Sequence, residues 1–116
     1  MKAKEAVAAL SSLAQDTRLA IYRLLIQSGP DGLAAGVIAE RLGVLPSSLS
    51  FHLAHLTRSG LVSQRRASRS LIYAADYGEM NNLMAYLTEN CCGGQTCAPV
   101  CRPMKTVARR ARNGAA

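Results

Sequence analysis

Arg41-Leu42-Gly43-Val44-Leu45-Pro46-Ser47-Ser48-Leu49-Ser50-Phe51-His52-Leu53-Ala54-His55-Leu56-Thr57-Arg58-Ser59-Gly60 is the stretch that decides the fold. Leu49, Leu53 and Leu56 recur at i, i+4 and i+7, the spacing of one helix face. Pro46 suits the first helical turn, where a missing N–H costs no hydrogen bond. Gly60 ends that helix just after Arg58-Ser59. Upstream, Ala35 to Leu42 predicts a shorter helix with Val37, Ile38 and Leu42 inward, and Gly43 closes it as a C-cap. Two helices joined by a tight glycine turn make a helix-turn-helix.

Downstream lie Leu61-Val62-Ser63-Gln64-Arg65-Arg66, then Ala67-Ser68-Arg69, then Ser70-Leu71-Ile72-Tyr73-Ala74. Two strand-like runs around a basic tip predict a β-hairpin, a wing beside the helix-turn-helix. A last helix is expected over about Asp76 to Glu89, with Tyr77, Met80, Leu83, Met84 and Leu87 at helical spacing. Toward the N-terminus, residues 3–14 carry Ala3, Val7, Leu10, Leu13 and Ala14 in the same rhythm. Asp16 is the expected N-cap of a helix from Thr17 to about Ser28, with Leu19, Ile21, Leu24 and Leu25 on its apolar faces. Gly29-Pro30-Asp31-Gly32 breaks it. The fold class is mainly α with a β-hairpin, a winged helix-turn-helix.

At 116 residues the chain is one domain by length, with short extensions at most. Its 49% apolar content suits a globular chain, and 4% aromatic content with no Trp leaves a core of Leu, Ile, Val and Ala. So small a domain buries a modest share of its surface, so a second subunit is expected to cover part of the apolar area. The surplus falls on Val7, Leu10, Leu83 and Leu87. No stretch approaches the length of a membrane span, and Met1-Lys2-Ala3-Lys4-Glu5 does not open a signal peptide. The reading is a cytoplasmic protein whose thiols stay reduced.

A formal charge of +7 and a pI of about 9.8 favour an acidic partner, nucleic acid before membrane. From Arg41 to Ala75 there are Arg41, Arg58, Arg65, Arg66 and Arg69, and no Asp or Glu. A second basic run, Arg102, Lys105, Arg109, Arg110 and Arg112, fills the tail. If Leu49, Leu53 and Leu56 face the core, Ser47, Ser48, Phe51, Ala54, His55 and Arg58 lie on the opposite side. That face carries hydroxyls, an aromatic ring, an imidazole and a guanidinium, and no acid. Hydroxyls and imidazole can bond phosphates or base edges, and Phe51 can pack on a thymine methyl. An ordinary solvated helix face is the bland alternative. His52 lies on the boundary, able to touch a phosphate or to serve as a satisfied structural histidine. Arg65, Arg66 and Arg69 sit where a wing crosses the sugar–phosphate rail.

Leu13-Ala14-Gln15-Asp16-Thr17-Arg18-Leu19 resembles the second-helix opening of the ArsR/SmtB winged-helix repressors. Ser48-Leu49-Ser50-Phe51-His52-Leu53 and Leu56-Thr57-Arg58-Ser59-Gly60-Leu61-Val62 resemble their recognition helix and its exit. Arg69-Ser70-Leu71-Ile72-Tyr73 resembles their wing return strand. The likeness covers about residues 5–92. It implies a homodimer packed through its first and last helices, bound to double-stranded operator DNA and released by an inducer. Ser50, inside the recognition-helix motif, is also among the expected DNA-binding residues.

All four cysteines, Cys91, Cys92, Cys97 and Cys101, fall in one window near the end of the chain, wrapped in Gly and Pro. Such a cluster suggests a site where thiols converge. The family's arsenic-sensing Cys-x-Cys before the turn is missing, because Ala35–Leu42 holds no thiol. Its zinc-sensing pattern along the final helix is missing too, because that helix has no His. Any sensing therefore rests on the C-terminal cysteines, and Glu89-Asn90-Cys91-Cys92-Gly93-Gly94 resembles a subgroup of arsenic-responsive members. Trivalent arsenic, as arsenite or methylarsenite, is soft and takes three thiolates in a pyramid. Cys91 and Cys92 would supply two and Cys97 the third, with Cys101 as the alternate. Zinc or cadmium in a four-cysteine site, a redox-responsive dithiol and a ligand-free tail remain the alternatives.

The expectation is thus a repressor and not an enzyme: there is no Cys-x-x-Cys and no catalytic base beside the thiols. Residues 1–90 form the DNA-binding and dimerisation domain, and residues 91–116 form the Cys-rich inducer segment and basic tail.

Overall fold

The computed structural model describes residues 1–94. Five helices and three short strands follow one another: α1 Ala3–Leu13, α2 Asp16–Ser28, β1 Leu33–Ala34, α3 Ala35–Leu42, α4 Pro46–Arg58, β2 Val62–Ala67, β3 Ser70–Ala75 and α5 Tyr77–Leu87. A short turn over Cys91–Gly94 follows.

Helix α4 starts with proline in its first turn, and its Leu49, Leu53 and Leu56 are buried. They meet Ile21 and Leu25 of α2, Ile38 of α3 and Leu61 in one core cluster. Gly43 caps α3 in the left-handed conformation, φ 65° and ψ 36°, which only glycine adopts without steric cost. The helix-turn-helix therefore stands as its sequence spacing predicts.

Helix α2 departs from its expected start. Gln15, extended at φ −155°, is the N-cap, and its Oε1 accepts the Arg18 backbone N–H at 2.9 Å. Asp16 instead lies in the first turn, where its charge faces the positive end of the helix dipole. Ile21, Tyr22 and Leu25 are the buried face, and Leu19 is exposed.

The loop after α2 adds a strand that the sequence pattern did not suggest. Gly32, at φ 76°, lies so close to the Tyr73 carbonyl that a Cβ would collide with it. This approach lets Leu33 and Ala34 pair with Tyr73 and Ile72, giving an antiparallel sheet of order β1-β3-β2. The wing itself pairs from Val62↔Ala75 to Ala67↔Ser70, with Ser68 at φ 58° in its turn.

Asp76 caps α5, its Oδ1 accepting the Glu79 N–H at 3.0 Å. The Tyr77 hydroxyl donates to the Ile26 carbonyl at 2.9 Å and so ties α5 to the end of α2. Helices α1 and α5 are in contact. Leu83 lies in the core of the chain, which corrects its expected place in the apolar surplus. The α1 face turned inward is Ala6, Ala9 and Ser12, small residues that permit close packing. The larger Val7 and Leu10 remain 61% and 42% exposed, and Leu87 is 53% exposed.

Candidate nucleic-acid interface

The outward side of α4 exposes Ser47, Ser48, Ser50, Phe51, Ala54 and Arg58, with His52 and His55 half-buried. Phe51 is 61% exposed, which is unusual for a large aromatic unless something packs on it. Its ring stands edge-on to His52 and His55, with centroids 5.7 and 6.3 Å apart. The result is a cluster of rings with hydroxyls on the first turn and a guanidinium on the last. Such a surface offers donors to phosphate oxygens and an apolar edge to a base.

His52 is held from behind. Its Nδ1 lies 3.3 Å from an Arg18 guanidinium nitrogen, and a guanidinium can only donate. Nδ1 is therefore the acceptor and the ring proton sits on Nε2. Burial first, then Arg18 and His55, lower the pKa below the ordinary histidine value. The Arg18 Nε–H donates to the Ser12 carbonyl at 2.8 Å, and the buried Ser12 hydroxyl lies 3.0 Å from that of Ser59. These bonds join the end of α1 and the start of α2 to the middle and the C-cap of α4. Sequence reasoning did not find this network, because its members lie far apart in the chain and none is unusual alone.

The wing arginines do not act alike. Arg65 donates to the Asp31 carbonyl at 2.8 Å, so its guanidinium is anchored to the loop after α2. All three are exposed. On a strand, side chains alternate, so Arg66 shares the sheet face of Gln64 while Arg65 takes the other. Gln64 sits opposite Tyr73 in the register, and its amide donates to the Tyr73 hydroxyl at 2.8 Å. Between this pair and α4 lies a cleft of about 250 Å³ lined by Ser50, Ala54, Thr57, Arg58, Gln64 and Tyr73.

Cys91 and Cys92 lie four and five residues past Leu87, where α5 ends. Asn90, Cys92, Gly93 and Gly94 all take positive φ, so the chain turns sharply there. Cys97, Cys101 and the tail arginines lie outside the described residues. Among the described residues, no group of three or more His, Cys, Asp or Glu side chains gathers as a metal site. No described helix is long and apolar enough to cross a membrane.

Residues 13–65 match the family model described as a helix-turn-helix domain. The transcriptional activator HlyU of Vibrio cholerae is 32% identical over 72% of this chain and 74% of its own length. An ArsR-like transcriptional regulator from Rhodococcus sp. RHA1 superposes with a TM-score of 0.65 at 29% identity, covering 75% of this chain and 78% of that one. A structure described as a possible transcriptional regulator for arsenical resistance superposes with a TM-score of 0.60 at 30% identity, covering 68% of this chain and 79% of that one.

Proposed function

The chain belongs to the ArsR family of winged helix-turn-helix transcriptional regulators, and from that premise we propose that it is a repressor that binds operator DNA as a homodimer and is released by trivalent arsenic. The DNA half of this reading is carried by the acid-free outer face of α4 with its exposed Phe51. Ser47, Ser48, Ser50, Phe51, His55 and Arg58 face the duplex, and His52 meets it from the flank. Arg66 and Arg69 reach phosphates.

The dimer half rests on Val7, Leu10, Met84 and Leu87, exposed apolar residues on two helices that touch each other. A second copy covers them, as the helices of small domains commonly require. The inducer half rests on the chemistry of the donors. Adjacent Cys91 and Cys92 lie just past the end of α5, with Cys92 in a left-handed turn, and α5 carries part of the same exposed apolar face. Cys97, or Cys101 in its place, completes the pyramid. The relative described in terms of arsenical resistance favours the same inducer. Ligation would tether the segment after α5, shift the dimer interface and change the separation of the two recognition helices. Half-sites about 34 Å apart tolerate little such change. The coupling needed is about 1–3 kcal/mol.

The same four clustered cysteines, used as a redox-responsive dithiol, are the second reading. One experiment separates the inducers. The dimer on a fluorescent operator duplex, kept reduced, is titrated with arsenite, methylarsenite, antimonite, zinc and cadmium while anisotropy is followed. Release by the trivalent arsenicals supports the reading. Release by zinc or cadmium alone, or only by an added oxidant, replaces it with the corresponding alternative.

A further inference from the structure

We propose that the cleft between α4 and the wing seats a backbone phosphate of the bound duplex, with Tyr73 and Gln64 as its fixed donors. This rests on the DNA-binding reading and adds residues to it that the motifs did not single out. The lining is one-sided in its chemistry. It holds a guanidinium at Arg58, hydroxyls at Ser50 and Tyr73, an amide at Gln64, and no carboxylate.

With the Gln64 amide donating to it, the Tyr73 hydroxyl keeps its own hydrogen for a ligand. The amide nitrogen carries two hydrogens and the hydroxyl one, and their mutual bond uses a single one of these. At least one polar hydrogen of the pair is thus left to serve a ligand. Thr57 differs, because its hydroxyl already donates to the Leu53 carbonyl at 2.7 Å. Tyr73 is anchored on both sides. It sits on the central strand, paired with Leu33 on one side and Gln64 on the other, and its ring is buried. A donor held this rigidly loses little entropy when it binds.

The location selects a phosphate and not a base edge. Ser50, Ala54 and Arg58 recur at i, i+4 and i+8, the stripe of α4 turned toward the wing. Phe51 and His55 lie on a different line of the helix. A helix set in the major groove by its Phe51 line has a sugar–phosphate rail along its side, and here the wing-facing side is the cleft.

The test uses the full chain and an operator duplex selected with the wild-type protein. Tyr73→Phe keeps the buried ring and removes the hydroxyl. Gln64→Glu keeps the pair and puts a negative charge beside the phosphate. Tyr73→Phe is expected to weaken binding about tenfold on operator and random duplex alike, the scale of one hydrogen bond to a charged group. Gln64→Glu is expected to weaken it further, with melting temperatures held as the folding control. Single methylphosphonate linkages are then stepped along the duplex. At one position, where the seated phosphate has lost its charge, wild type and Tyr73→Phe bind equally. Equal binding everywhere, or a constant gap at every position, overturns the proposal and leaves Tyr73 a structural residue. Failure of the wild-type protein to bind any duplex would instead bring down the DNA-binding reading itself.

Discussion

His52 sits on the recognition helix with its Nδ1 bonded to Arg18, and this bond works only while the imidazole is neutral. Protonation would turn Nδ1 into a donor facing a guanidinium. Burial, Arg18 and the neighbouring His55 all lower its pKa below 6.5 in the folded chain. The unfolded chain therefore takes up this proton first as pH falls. The contribution of His52 to stability is fully present above pH 6.5 and declines as pH drops through 6.5 toward the lowered value. His52→Asn keeps an acceptor for Arg18 and cannot titrate. Urea unfolding at pH 7.5 and pH 5.5 should show a smaller loss of stability on acidification in His52→Asn than in wild type. Equal losses would mean that His52 does not couple to folding.

At the scale of elements, the proposed contacts with DNA divide between the wing and α4. All three wing arginines are exposed, and Arg65 is in addition tied to the Asp31 carbonyl. Replacing Arg66 or Arg69 by Ala should reduce the slope of log K against log salt by about 0.9, one phosphate contact, on every sequence. Arg65→Ala should change the slope less and loosen the wing instead. The same slope change in all three would return Arg65 to the phosphate-binding set expected from sequence. The elements that were legible are those whose signal is local. Gly43 as a C-cap, Pro46 in a first turn and leucines at helical spacing each depend on residues within a few positions. The elements that were not legible depend on distant partners. β1 is two residues with no alternation, and it exists because Gly32 admits the Tyr73 carbonyl. The Arg18–His52 and Gln64–Tyr73 pairs bridge separate elements and left no trace in spacing.

For the whole molecule, the question is which apolar surface the protomer leaves uncovered. Periodicity alone placed Leu83 and Leu87 on the same footing, because both lie on the apolar side of α5. Packing against α1 and the core buries Leu83 and leaves Leu87 out. The two leucines should therefore respond differently. Leu87→Glu is expected to shift the protein from dimer to monomer in analytical ultracentrifugation at micromolar concentration, with a folded circular dichroism spectrum. Leu83→Ala should cost about 2–5 kcal/mol of stability, as core truncations do. A wild-type protein that sediments only as monomer would contradict the homodimer.

The thiols lie past the end of α5 and outside the helix-turn-helix, so reading DNA and sensing the inducer should be separable. The decisive measurement is arsenite-driven release from operator DNA, followed by anisotropy, for wild type beside Cys91→Ser, Cys92→Ser, Cys97→Ser and Cys101→Ser. Serine keeps the size of cysteine without its soft thiolate donor. The expected result is near-wild-type operator affinity in all four variants, with release abolished in the first three and little changed in Cys101→Ser. A block in Cys101→Ser but not in Cys97→Ser would exchange the third ligand and keep the sensor. Release by arsenite from all four variants, as readily as from wild type, would contradict the account.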